Sequence, residues 1–308
     1  MAEQRERFLV IFPGALGDFL CAMPAIRTIA RRHPKAGLEL MALPELARFA
    51  IRRLGAVHAH SIDRRETGLL FVPTADLSAA RSFFGSFEHI YSFFAADHAD
   101  FRSSLQAVSS GTVTFIPFPP GGDGHIAACF LREAGASDFS EEHARTLSGI
   151  EVLPEDLNAA DKLLTTTGFQ PDNFLLILPG SGSPSKIWPP ERFADLATLV
   201  MPTLPSLILI GPAEAALSPI FRARGLPSVE NLDLGTVAGL AQRARAFIGN
   251  DSGVAHLVAA AGAPGVAIFG PSDPARWRPL GRVEVVRREP LSALSAEEAA
   301  TRIISLTR

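Results

Sequence analysis

The chain has 308 residues, 47% of them hydrophobic and 20% charged. That composition excludes a disordered or fibrous protein, and the length exceeds what one hydrophobic core usually organises, so two domains are expected. A formal net charge of -3 gives no reason to expect nucleic acid as a partner, and Cys21 and Cys129, far apart and without metal-type spacing, read as buried thiols in a reducing compartment.

In chain order, charged residues 3–7 lead directly into the apolar run 8–12, which Pro13-Gly14 ends. The run is too short for the hydrophobic region of a signal peptide, and no later stretch is long enough to cross a bilayer. A cytoplasmic protein is expected, with surface attachment to a membrane left open. The run 8–17 is echoed past the middle by 174–182, each being an apolar strand that breaks at Pro-Gly. Further short apolar runs at 38–41, 89–94, 112–116, 207–211, 246–249, 266–270 and 283–286 suit parallel strands covered on both faces. Amphipathic helices alternate with them, such as 191–200, where Phe193, Leu196, Ala197 and Val200 share a face. A helix over 154–167 begins with Pro, carries Glu155 and Asp156 in its first turn and stops at Gly168. The domain junction is placed beside it, giving domains 1–153 and 154–308. Ser295-Ala296-Glu297-Glu298 is a capping box for a last helix over 295–307.

Three strand-to-helix turns could carry chemistry. In the first, Gly14-Ala15-Leu16-Gly17-Asp18, small residues would let backbone approach a ligand. Asp18 on its own reads first as a helix cap, and an acid is ill suited to meet a diphosphate. The spacing is not that of a dinucleotide fingerprint. The second, 179–189, offers Ser181, Gly182 and Lys186: backbone N–H groups, a hydroxyl and a compact positive charge that suit a phosphate. It is not a Walker A loop, because Ser185 stands where Gly belongs and Ile187 has no hydroxyl for magnesium. An ordinary surface loop has the same composition. The third, Gly249-Asn250-Asp251-Ser252-Gly253-Val254-Ala255-His256, opens into a helix whose first N–H groups favour an anion. Asp251 or Ser252 could equally cap that helix. Phe269-Gly270-Pro271-Ser272-Asp273-Pro274 adds a further turn after the next strand.

His58 and His60 lack companions at metal-site spacing and read as structural or solvent-facing. Arg27, Arg31, Arg32, Lys35, Arg52, Arg53, Arg64 and Arg65 crowd one part of the first half. They form either a solvated helix face or a surface for an anionic acceptor or acidic membrane.

The three turns, in this order and at these separations, resemble glycosyltransferase family 9, the bacterial heptosyltransferases of lipopolysaccharide cores. The resemblance covers most of the chain. It rests on Leu16-Gly17-Asp18 with Pro24 in the next helix, on Ser185-Lys186-Ile187-Trp188-Pro189-Pro190-Glu191-Arg192-Phe193, and on Asn250-Asp251-Ser252-Gly253-x-x-His256 followed by the 269–274 turn. It implies an α/β protein of GT-B architecture, two Rossmann-like domains with parallel sheets facing across a cleft, and a last helix that crosses back to the first domain. It also implies inverting, metal-independent transfer of a sugar, with heptose from ADP-heptose as the leading candidate, to a glycan or glycolipid hydroxyl, without a cofactor. Asp18 matches the family's candidate general base, with Gly14, Ala15 and Gly17 forming the acceptor-side turn. Ser181, Gly182 and Lys186 match diphosphate contacts, and Asp251, Ser252, Gly253 and His256 the donor-binding turn. Glu214 and Leu232 fall where the family contacts ribose and base. The apolar Pro13-Gly14-Ala15-Leu16 and the small residues at 181–183 depart from the lipopolysaccharide enzymes, which leaves sugar and acceptor open. The alternatives are a nucleotide-sugar 2-epimerase-like enzyme and a non-catalytic nucleotide-sugar-binding paralogue. Peripheral contact with the inner membrane is compatible with all of these.

Overall fold

The computed structural model describes residues 6–308; residues 3–5 of the charged lead lie outside them. The chain divides into two compact units, one ending at Leu147 and the other running from Ser148 to Arg308. The expected junction at 153/154 therefore falls inside the second unit. Residues ahead of it are already tied there, Ile150 N–H donating to Ala260 O at 2.9 Å.

Among the described residues, the first unit holds five parallel strands: β1 (Arg7–Ile11), β2 (Gly37–Ala42), β3 (His58–Ser61), β4 (His89–Ser92) and β5 (Thr112–Phe115). Their order is β3-β2-β1-β4-β5, so the winding reverses between β1 and β4. Leu9, Val10 and Ile11 are wholly buried, as a central parallel strand with helices on both faces requires. β3 was not expected. It reads His58-Ala59-His60-Ser61, at the sheet edge, and its pairing is reinforced by Glu39 on β2. That carboxylate, 1% exposed, accepts from His60 Nε2 and Arg7 Nε at 2.6 Å each. Burial pushes its pKa up, but the hydrogen bonds from His60 and Arg7 and their charges outweigh this and hold it at about 2.

The second unit holds six parallel strands: β6 (Leu175–Leu178), β7 (Ser206–Ile210), β8 (Ser228–Glu230), β9 (Ala246–Asn250), β10 (Gly265–Phe269) and β11 (Val283–Arg287). The order β11-β10-β9-β6-β7-β8 is a full Rossmann winding, with its switch point between β6 and β9. The expected helix is found at Pro154–Thr167 and ends on Gly168 at φ 79, a left-handed cap that glycine adopts without strain. Asp156 in its first turn accepts from Leu153 N–H at 2.9 Å. The last helix, Ala296–Thr307, is capped by Ser295 Oγ, which accepts from Glu298 N–H at 3.1 Å. This helix was expected to cross back to the first domain; its apolar face packs within the second unit. Ala296, Ala299, Ala300 and Ile303 are buried in the second unit's own core with Phe193 and Val200 of the helix Pro190–Val200, so this apolar face is consumed there.

Candidate functional site

In an open parallel sheet, ligands are taken up beyond the carboxyl ends of the strands at the switch point. In the second unit those ends are the loop after β6, residues 179–188, and the turn after β9, which begins at Asp251. Asn250, the last residue of β9 and wholly buried, joins them. Its Oδ1 accepts from Trp188 N–H at 3.0 Å and its Nδ2 donates to Pro179 O at 2.7 Å. Ser181 Oγ donates to Asp251 O at 2.7 Å, a third link between the loop and the β9 turn. Trp188 is itself fully buried, with Nε1 donating to Leu294 O at 3.2 Å and its ring edge-on to Phe193. The expected phosphate loop is thus stitched to its neighbour at both ends, unlike an ordinary surface loop.

Lys186 lies in the short turn Pro184–Lys186, its Nζ 2.8 Å from Asp251 Oδ2. The side chains are 35% and 7% exposed. The pair is close but off a hydrogen-bond line, so that buried Oδ2 has charge compensation without an aligned donor. Asp251 does not cap the following helix, Gly253–Ala260; Ser252 does, its Oγ accepting from Ala255 N–H at 3.3 Å. Gly253 occupies the first helical position, and His256 is buried one turn in.

Glu214, in the turn Pro212–Leu217 after β7, is brought to the same place. A Cβ built on Gly180 would meet its Cδ at 2.5 Å, and one on Gly211 would meet its Oε2 at 2.5 Å. The carboxylate therefore occupies the space that side chains at those two glycines would fill. Gly182 is exposed with open space around it, and Leu232 is half-buried just past the end of β8. The candidate donor residues Ser181, Gly182, Lys186, Glu214, Leu232, Asp251, Ser252, Gly253 and His256 accordingly follow the ends of four adjacent strands, β8, β7, β6 and β9.

In the first unit, the turn after β1 leads into the helix Leu16–Arg32, with Ala15 as an exposed N-cap and Gly17 in the first turn. Asp18 is the third helical residue, half-buried, so the N-cap position is not its own. Gly14 differs from expectation. It is buried, and a Cβ there would meet Asp18 Cβ and Phe12 Cε1 at 2.8 Å and Phe118 Cζ at 2.9 Å. Its missing side chain admits Asp18 and a cluster of phenylalanines rather than a ligand. Phe12 lies edge-on to Phe19, Phe93 and Phe118, which fixes the turn from below.

The basic residues of the first half divide. Arg27 donates to Leu147 O and Arg53 O, and burial, with the nearby Arg31 charge, lowers its pKa from the usual arginine value. Arg32 donates to Gly135 O at 2.6 Å, Arg53 to Phe49 O at 3.0 Å, and Arg64 pairs with Glu66 while lying over the Phe83 ring. These are tied to backbone and neighbours. Arg31, Lys35, Arg52 and Arg65 are exposed.

The family model described as Glycosyltransferase family 9 (heptosyltransferase) matches residues 137–302, more than half of the chain. Lipopolysaccharide heptosyltransferase 2 of Escherichia coli (strain K12) is 23% identical over 318 residues, covering 91% of this chain and 88% of its own. A crystal structure of a glycosyl transferase family 9 protein from Veillonella parvula superposes with a TM-score of 0.79 at 19% identity, covering 100% of this chain and 98% of that one. E. coli ADP-heptose LPS heptosyltransferase II does so with a TM-score of 0.73 at 18% identity and 98% of both chains. The likeness in structure shows the fold, an α/β protein with two parallel sheets of the GT-B kind.

Proposed function

We propose, because the chain belongs to glycosyltransferase family 9, that it moves a heptosyl group from ADP-heptose to a hydroxyl of a lipopolysaccharide-type glycolipid, with inversion and without a required metal ion. The reading rests above all on one observation: Lys186, paired to buried Asp251 at the switch point, on a loop held at both ends by Asn250. A point cation paired to the residue ahead of the helix Gly253–Ala260, whose first N–H groups favour an anion, would supply the positive charge a diphosphate needs. The acceptor oxygen attacks the anomeric carbon opposite the diphosphate. As the new C–O bond forms, the bond from carbon to the diphosphate oxygen breaks, and the nucleoside diphosphate leaves with the electron pair toward Lys186. Asp18 takes the hydroxyl proton. A carboxylate suffices because the hydroxyl becomes acidic only as the C–O bond forms. Glu214 and Leu232 would receive ribose and base, and Asp251 would serve by holding Lys186 in place. Peripheral contact with the inner membrane, at its cytoplasmic face, belongs to the same reading.

Thermal melting with ADP-heptose, ADP, UDP-glucose and GDP-mannose, each with and without EDTA, tests it, since a ligand that binds the folded state raises the melting temperature. ADP-heptose should give the largest rise, unchanged by the chelator. A larger rise with another nucleotide-sugar would reassign the donor, and abolition by EDTA would remove metal independence.

A further inference from the structure

We infer that Asn250 is a positioning residue of the donor site: its buried side-chain amide sets the geometry of the 179–188 loop and so fixes where Lys186 meets the diphosphate. The inference rests on the donor-site reading above and adds to it a residue that touches no ligand.

The loop leaves the sheet at Pro179 and rejoins the core at Trp188, and Asn250 holds both points, accepting from one backbone and donating to the other. Between them only Pro184–Lys186 is regular, and Gly180, Ser181, Gly182 and Ser183 give the stretch little rigidity of its own. A side chain that bridges a carbonyl and an N–H from one sp² carbon must carry a donor and an acceptor, and among short side chains that is the amide of Asn. An ionised carboxylate would set an acceptor against Pro179 O and leave that carbonyl without its donor. Asn250 also precedes Asp251, whose carboxylate holds the Lys186 ammonium and whose carbonyl accepts from Ser181. One strand end therefore closes the loop and aims its cation. Ordering the loop before the donor arrives removes an entropic cost from binding.

The test is Asn250→Asp, which keeps the shape and removes the donor, with ADP as the probe in calorimetric titrations. At about pH 8 the variant should bind ADP about tenfold more weakly than wild type, the effect of one lost hydrogen bond and a misplaced lysine. As pH falls toward about 5.5 the deficit should shrink to within about threefold, because the new carboxyl, once protonated, again offers an O–H to Pro179 O and a C=O to Trp188 N–H. General damage to the fold would leave the deficit independent of pH. Hydrogen exchange on the wild-type protein supplies a measurement that needs no variant: Trp188 N–H should exchange with the slow core amides. Equal ADP affinity at about pH 8, a deficit that ignores pH, or a fast-exchanging Trp188 N–H would each overturn the inference. If Trp188 N–H is slow yet wild-type protein binds no nucleoside diphosphate, the clamp stands, the donor-site reading fails, and the role of Asn250 in it fails too.

Discussion

Lys186 and Asp251 form the ion pair at the switch point of the second unit, Nζ to Oδ2 at 2.8 Å, with the carboxylate buried and the lysine facing solvent. The lysine compensates a carboxylate that cannot reach water, and the carboxylate keeps an otherwise mobile cation at the end of β6. The partners have unequal roles toward an anionic ligand, because only the lysine attracts it. Lys186→Ala should weaken ADP affinity about 10–100-fold, the loss of one charge-assisted contact, and lower the melting temperature of a still folded protein because the Asp251 carboxylate loses its compensation. Titration calorimetry and melting on one preparation check this. Unchanged affinity would remove Lys186 from the site.

Gly180 and Glu214 give a second handle. Adding a methyl group at Gly180 places a Cβ within 2.5 Å of Glu214 Cδ, and the flexible glutamate, not backbone, must move. Gly180→Ala should therefore leave stability within about 1 kcal/mol and still weaken ADP binding several-fold, by displacing the carboxylate expected to meet ribose. Binding of 2′-deoxy-ADP should fall less than binding of ADP. Equal losses for both nucleotides would separate Glu214 from ribose recognition.

Glu39 predicts an acid response of the first unit. Its pKa is depressed from 4.5 to about 2 in the folded chain, so its stabilisation is fully present above pH 4.5 and is lost as pH falls from 4.5 toward 2. The contribution to the slope is at most about 1.4 kcal/mol per pH unit, less what solvent screening at the partly exposed Arg7 removes. Glu39→Gln should flatten the stability profile in that window and speed hydrogen exchange of the amides of β3. A profile as steep in the variant as in wild type would assign the acid sensitivity to other carboxylates.

The interior strands were legible in the sequence because a parallel strand covered on both faces must be an unbroken apolar run, as 8–12 and 175–178 are. Two of the four edge strands, β3 and β8, were not. His58-Ala59-His60-Ser61 and Ser228-Val229-Glu230 are short, polar and paired on one side only, and β3 is reinforced by a carboxylate 21 residues away from His60. Lys186 and Asp251 could be picked out from loop composition and family motif, but their ion pair could not. Asn250 was missed as a functional residue for the same reason: its partners are 62 and 71 residues distant, and only the adjacency of β6 and β9 brings them together. The motif spelling Asn250-Asp251 was the one available signal. For the last helix, the Ser295 cap was readable in the sequence, while its packing on the helix Pro190–Val200 was not.

Asp18 is the proposed general base for attack of an acceptor hydroxyl in glycosyl transfer by this chain. The direct measurement is turnover of Asp18→Asn against wild type, with saturating ADP-heptose and a heptose-accepting lipopolysaccharide core glycolipid, alongside donor titration and melting. Asn retains the side chain's size and hydrogen-bonding capacity but cannot take the proton. The variant should melt and bind donor like wild type and turn over about 10²–10⁴-fold more slowly. Near-normal turnover by a folded, donor-binding Asp18→Asn protein would contradict a general-base role for Asp18.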